Sequence, residues 1–169
     1  MTSPLRPFAV AVLCVLAIVP AACGDEEGDG QAVETTTSTA APEATEVTLT
    51  AQLSGKEEVP GPGVTDGTGL AEVRIAADEL CYTLNATMGE APTAAHIHQG
   101  AQGAAGGVVV NLMPTFEKGE SAFTAESCIT PDAAAVAPIA ENPSGFYVNI
   151  HTAQFPDGAM RGQLSEAGN

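Results

Sequence analysis

From Val47 onward, apolar and polar side chains alternate in short segments, and this pattern most restricts the folds open to the chain. In the first segment Val47, Leu49, Ala51 and Leu53 alternate with polar residues. Successive side chains of a β-strand point to opposite faces, so each segment is typical of a strand with one buried face. The pattern predicts an all-β domain of about eight short strands, arranged as a sandwich or a barrel.

The predicted strands share this alternation and are separated by loops rich in glycine and proline. They lie near residues 47–53, 71–75, 80–86, 96–98, 108–112, 122–129, 146–150 and 160–164. Asp78 and Glu79 are expected to turn the chain between the second and third strands. A short helix is predicted from Pro131 onward, with Thr130 as its N-cap. A turn signal at 156–158 indicates that the last two strands pair antiparallel.

The N-terminal residues are typical of an export signal. Residues 8–19 are almost all apolar, which is shorter than the roughly 20 residues of a membrane span, and small residues follow. The junction Ala21-Ala22-Cys23-Gly24 resembles a bacterial lipobox, in which the cysteine becomes the lipidated first residue. We predict a signal peptide at 1–22 and a lipid anchor on Cys23, on the outer face of the cytoplasmic membrane. The alternative is an ordinary secretory signal and a secreted protein.

Residues 23–45 are acidic at first and then rich in threonine and alanine, with almost no large apolar side chains. Such a segment cannot bury a core, so we predict a disordered tether between the envelope and the domain. The whole chain has 5 Lys and Arg residues against 21 Asp and Glu residues, a formal net charge of −16. This charge repels phosphate backbones, so nucleic acid is not expected as a partner.

The cysteines are consistent with export. Cys14 lies inside the apolar signal and Cys23 at its end, which leaves Cys81 and Cys128 in the body of the chain. Two remaining cysteines in an exported protein are expected to form a disulfide. A pair of soft metal ligands is the alternative, although the two cysteines lack the spacing of a zinc finger.

The three histidines of the sequence lie on two predicted strands. If the apolar residues beside them point into the core, His96, His98 and His151 face the opposite, outer side. Should these strands be neighbours, the imidazoles could converge under the glycine-rich loop that follows His98, and an open three-histidine site suits copper or zinc. The alternative is a structural role, in which the rings hydrogen-bond loop carbonyls in a network with Tyr147 and Asn149.

Other polar residues indicate no catalytic centre. The serines lack a nucleophile signature such as Gly-x-Ser-x-Gly. Glu57 and Glu58 are expected to be solvated in a loop, with contact to calcium as the alternative. Arg161 is expected to pair with a carboxylate at the edge of the core, with ligand binding as the alternative. The glycine-rich stretch at 100–107 has no lysine and no following helix, so it is not expected to bind phosphate.

Several short motifs follow one another in a fixed order through the body of the chain. They are Glu57-Glu58-Val59-Pro60, Ala95-His96-Ile97-His98-Gln99-Gly100, Gly107-Val108-Val109, Gly145-Phe146-Tyr147-Val148-Asn149-Ile150-His151-Thr152 and Pro156-Asp157-Gly158-Ala159-Met160-Arg161-Gly162-Gln163-Leu164. Together they resemble the CHRD (chordin-type) domain, with Ala159 where the family usually has glutamate. The resemblance covers nearly all of the predicted domain at 46–166.

The resemblance implies an immunoglobulin-like β-sandwich with distant similarity to copper/zinc superoxide dismutases. It also implies an extracytoplasmic binding or interaction module without established catalysis, whose partner is an extracellular protein or a metal ion. Dismutase activity is not expected, because such centres need more histidine ligands than the three present. The alternative function is a copper or zinc protein, with redox activity as one option, that uses His96, His98 and His151.

Overall fold

The computed structural model describes residues 46–112, 114–118 and 122–168. The predicted signal peptide, Cys23 and the predicted tether lie outside these residues. The described residues form the strands β1 Val47–Ser54, β2 Thr68–Ala76, β3 Glu79–Thr87, β4 Pro92–Gln99, β5 Val108–Asn111, β6 Glu117–Lys118, β7 Ala122–Ile129, β8 Phe146–Thr152, β9 Met160–Gln163 and β10 Ser165–Glu166, and the helix α1 Ala133–Glu141. None of the helices in this part of the chain is long and apolar enough to cross a membrane.

The strands belong to one antiparallel sheet with the order β5-β4-β8-β9-β1-β2-β3-β7-β6, and β10 pairs with β1. A single residue pair, Ser54 with Arg161, connects β9 to β1. Buried residues from the strands on both sides of this junction belong to one apolar core. The sheet therefore curls here so that its two halves face each other. The prediction of an all-β, sandwich-like fold is confirmed. Eight of the described strands have four or more residues, and β6 and β10 have two each.

The core is built from the alternate residues that the sequence pattern indicates. Its members on β1, β3, β4 and β8 are Leu49, Ala51, Leu53, Leu80, Tyr82, Leu84, Ala86, Ala95, Ile97, Phe146, Val148 and Ile150. Each fully buried leucine, isoleucine, valine or phenylalanine among them stabilises the fold by about 1.5–3 kcal/mol relative to an exposed one. The buried hydroxyl of Tyr82 donates to the carbonyl of Leu112 at 2.8 Å, so this polar group inside the core keeps a partner.

Two local predictions differ from the structure. The turn between β2 and β3 consists of Ala77 and Asp78, because Ala76 pairs with Glu79, and Ala77 takes a φ of 53°. The prediction that Glu79 lies in this turn is wrong, since Glu79 already extends the hydrogen-bonded ladder. The N-cap of α1 is Asp132, whose carboxylate accepts the backbone N–H of Ala134 at 2.9 Å. A carboxylate at this position satisfies a free N–H of the first turn, so the helix begins later than predicted.

The predicted disulfide between Cys81 and Cys128 is confirmed. The two cysteines lie opposite each other on the neighbouring strands β3 and β7. Leu80 and Tyr82, which flank Cys81, are buried in the core. Because side chains alternate across a strand, the bridge lies on the face of the sheet away from the core.

Replacing both cysteines by serine is expected to lower the free energy of unfolding by about 4 kcal/mol, because the bridge closes a long loop in the unfolded chain. The cysteines are 47 residues apart. The loss is measured by urea denaturation of the double variant and the oxidised wild type. Glu126→Gln, at an exposed position of β7 on the same face as Cys128, is the matched control and should change the free energy of unfolding by less than about 0.5 kcal/mol. Equal stability of the double variant and the wild type would contradict the prediction.

Candidate metal centre

The pairing of β4 with β8 brings the three histidines together. In this antiparallel pair His96 lies opposite Asn149, His98 opposite Tyr147, and Ala94 opposite His151. His151 is therefore a diagonal neighbour of His96 on one face of the sheet. The nitrogens His96 Nδ1 and His151 Nε2 are 2.9 Å apart. One ring nitrogen from each histidine lies within 4.8 Å of the others.

The face that carries the histidines is covered rather than open. Every residue of β8 is buried, although only every second one can point into the apolar core. Tyr147, Asn149 and His151 point to the other side, where residues 100–107, which we call the site loop, lie over part of the face. His98 and His151 are 9% and 8% exposed, and His96 is partly buried. The predicted outer face is thus a second buried layer.

Backbone carbonyls determine which nitrogen of two histidines carries the proton. His98 Nδ1 lies 3.0 Å from the carbonyl oxygen of Gly106, and His151 Nδ1 lies 3.0 Å from that of Pro156. A carbonyl can only accept a hydrogen bond, so both Nδ1 atoms donate and both Nε2 atoms keep a lone pair. Metal-binding histidines commonly have this arrangement, in which the nitrogen away from the metal donates to a carbonyl. The alternative given in the sequence analysis, a purely structural role for the histidines, predicts the same bonds to loop carbonyls.

The environment favours neutral imidazoles. Burial lowers the pKa of His96 to about 4, with further lowering by His151 and His98. Burial also lowers the pKa of His98 and of His151, partly offset by the hydrogen bonds to Gly106 and Pro156. Neutral rings each keep one lone pair near pH 7, so the cluster needs no deprotonation to act as a ligand set. The lone pair of His151 Nε2 accepts the Nδ1–H of His96 at 2.9 Å. An ion held by both of these nitrogens would replace this hydrogen bond, with the proton of His96 moved to its Nε2.

Glu58 lies on the same buried face, and the expectation that it is solvated is wrong. Its side chain is 6% exposed, whereas the neighbouring Glu57 is exposed as expected. Asn149 Nδ2 donates to Glu58 Oε2 at 3.4 Å. Gly158 makes room for the carboxyl group, since a Cβ atom at that position would collide with it. Burial raises the pKa of Glu58 to about 7, although the charge of Arg161 and the hydrogen bond from Asn149 act in the opposite direction.

Arg161 is also buried, and its side chain is 2% exposed. Its guanidinium lies 3.5 Å from the centre of the Tyr147 ring. The Tyr147 ring in turn stacks on that of His98, with 5.0 Å between ring centres. Instead of the predicted carboxylate partner, Arg161 donates to the carbonyls of Ala101 and Ala104 at 2.8 Å each.

Within the described residues, three buried side-chain polar atoms lack a hydrogen-bond partner: His98 Nε2, Asn149 Oδ1 and Glu58 Oε1. Folded proteins rarely leave such atoms unpaired. All three carry a lone pair and none carries a hydrogen when Glu58 is ionised. A cation, or a molecule that donates hydrogen bonds, is therefore the kind of partner that this face can hold.

A second group of metal-ligand types, Glu79 with Cys81 and Cys128, lies on the strands β3 and β7. The two sulfur atoms are joined to each other. A metal ligand must be a thiolate, so the oxidised pair offers no soft ligand.

Replacing Glu58 by Gln is expected to stabilise the protein in a pH-dependent manner. The folded pKa of Glu58, about 7, lies above its ordinary value of 4.5. Ionising it therefore costs folding free energy as the pH rises from 4.5 through 7. The variant should match the wild type near pH 4.5 and exceed its free energy of unfolding by about 2 kcal/mol at pH 8. Urea denaturation at both pH values measures this difference.

Glu57→Gln is the matched control, because Glu57 is adjacent in sequence and exposed. This control should follow the wild type at both pH values. If the Glu58 variant behaves like the control, the buried carboxyl group is not held in the way the structure indicates.

One comparison with known protein families finds a match over most of the chain. The sequence profile of the CHRD domain family matches residues 49–164. A comparison with curated protein sequences finds no match. The matched segment contains the three histidines together with Glu58, Asn149 and Arg161. From the match over most of its length, the chain belongs to the CHRD domain family.

Proposed function

We propose that this protein is an exported CHRD-type binding module that holds a copper or zinc ion through His96, His98 and His151. One observation carries the proposal: the buried Nε2 of His98 has no hydrogen-bond partner. The carbonyl of Gly106 fixes the ring so that this nitrogen presents a lone pair. An imidazole lone pair that faces two further imidazoles is a ligand set for a transition metal ion.

The chemistry of the donors selects the class of metal. Imidazole nitrogen suits copper and zinc, whereas calcium and magnesium prefer oxygen ligands. Three protein ligands leave one position of a four-coordinate ion for water or an external molecule. The net charge of −16 attracts cations and disfavours nucleic acid as a partner. We propose binding without catalysis as the role of the site.

The second candidate is an interaction module whose histidines are purely structural. Membership of the CHRD family indicates an extracellular-type interaction module. The hydrogen bonds of His98 and His151 to loop carbonyls favour this candidate, because they would stabilise the loops without a metal ion. It does not account for the unpaired Nε2 of His98.

We propose the same location that the sequence predicts: a signal peptide at 1–22, a lipid anchor on Cys23, and a domain outside the cytoplasmic membrane. A secreted form is the alternative. The CHRD domain is typical of extracellular proteins, and the disulfide is typical of an oxidising compartment. The immunoglobulin-like arrangement and the distant similarity to superoxide dismutases stay predictions from the family resemblance.

Purified protein is expected to bind one copper(II) or zinc(II) ion per chain, and His98→Ala should weaken this binding by at least about 100-fold, because a direct ligand contributes more than its hydrogen-bonding neighbours. Elemental analysis and calorimetric titration with each metal measure the stoichiometry and the affinity. Ala105→Ser, at an exposed position on the site loop, is the matched control and should bind like the wild type.

The double variant with serine at Cys81 and Cys128 tests whether metal binds at the histidines or at the cysteines. It should bind metal like the wild type, because the histidines are unchanged. Absence of stoichiometric metal, or equal binding by His98→Ala and the wild type, would overturn the proposal in favour of structural histidines.

A further inference from the structure

We infer that Arg161 is a positioning residue of the metal centre. It holds the site loop over Tyr147, and the loop in turn fixes the His98 ring with Nε2 free for the ion. This inference rests on the proposed function, because it assigns Arg161 a role at the same site.

The site loop has no apolar side chain larger than alanine, and its one side chain with a hydrogen bond, Gln102, donates to the exposed Glu57 at 3.1 Å. Residues 101–107 are alanine, glycine and glutamine, and all are exposed. Gly106 is required by close packing, since a Cβ atom there would collide with the carbonyl of Gln99. Burial of apolar side chains therefore does not hold this segment in place. Its position depends on the hydrogen bonds that its backbone makes with the strands beneath it.

Arg161 supplies two of these bonds at the centre of the loop. Its Nη1 donates to the carbonyl of Ala104 and its Nη2 to that of Ala101, both at 2.8 Å. The planar guanidinium can bind two carbonyls in a fixed geometry while it stacks on an aromatic ring. Gln163 and Tyr147 bind the ends of the loop: Gln163 Nε2 donates to Gly100 at 2.9 Å, and the Tyr147 hydroxyl accepts the N–H of Gly106 at 3.2 Å.

The loop connects Arg161 to the metal ligand through Gly106. The Gly106 carbonyl accepts the Nδ1–H of His98 at 3.0 Å. If His98 carried its proton on Nε2 instead, two lone pairs would face each other at this contact. A loop that is held in place therefore selects the ring form with a free Nε2. The Tyr147 ring restrains the plane of the imidazole as well, because the two rings are inclined by only 11°.

The guanidinium donates to no carboxylate in the described part of the chain, although the charge of the buried Glu58 lies close enough to interact with it. Among the residues that the structure describes, the one ion pair is that of Arg74 with Glu72, which is exposed. Burying a permanent charge costs free energy that an apolar side chain would avoid. Arg161 uses its N–H groups to bind carbonyls of the site loop. Its burial is explained if the site needs the loop in a fixed position.

The test compares Arg161→Met, Arg161→Lys and the matched control Arg74→Met. In metal-free protein, ¹⁵N–¹H NMR of the imidazoles reports which nitrogen of His98 carries the proton, and calorimetric titration with zinc(II) and copper(II) reports affinity. Arg161→Met should show a mixture of both ring forms and bind metal about 10–100-fold more weakly. Arg161→Lys can keep one carbonyl bond and should lose less. Arg74→Met should match the wild type in both measurements.

A purely structural Arg161 would lower stability without changing the ring form of His98. A folded Arg161→Met protein with the wild-type ring form and affinity therefore overturns the inference, even if metal binds. If Arg161→Met does not fold, Arg161→Lys and Tyr147→Phe decide by the same two measurements, because each removes only part of the support of the loop. Failure of the wild type to bind metal overturns the proposed function, and the NMR result on metal-free variants still decides separately whether Arg161 fixes His98.

Discussion

The antiparallel pairing of β4 with β8 is the constraint on which the candidate centre depends. Its register places His96 beside Asn149 and sets His151 one step further along the same face. A shift of one residue would turn every side chain of one strand to the other face of the sheet. Such a shift of β8 would place the His151 imidazole in the apolar core and turn Val148 towards the polar layer. Burial of the apolar side chains of both strands therefore fixes the arrangement of the histidines.

The sequence was sufficient to predict the strands, but it brought the three histidines together only on the condition that β4 and β8 are neighbours. Alternation of apolar residues such as Leu49, Ala51 and Leu53 depends only on local geometry and survives in the structure. The alternation places all three histidines on the same side of their strands. They therefore lie close together because β4 and β8 are neighbours in the sheet. Cys81 and Cys128 could likewise be paired because few cysteines were left to consider.

The sequence was not sufficient to predict the second buried layer. Glu58 follows an exposed glutamate in a loop rich in glycine and proline, and nothing local distinguishes the two. Its burial depends on space left by Gly158, which lies a hundred residues further along the chain. Arg161 offered a weak signal: it is a charged residue between Met160 and Gly162 in a strand that is otherwise buried. Contacts between segments that are distant in sequence determine whether these two charged side chains are buried. A local sequence pattern carries no information about such contacts.

The disulfide has a consequence for how an ion could reach the centre. The covalent bridge joins β3 to β7, in the half of the sheet away from β4 and β8. Hydrogen bonds from Arg161, Gln163 and Tyr147 hold the segment over the histidines. Free energies of local opening differ across a fold and are lowest where few apolar contacts hold a segment. An ion held as proposed would therefore exchange with the surroundings through transient opening of this segment, while the cross-linked half stays folded.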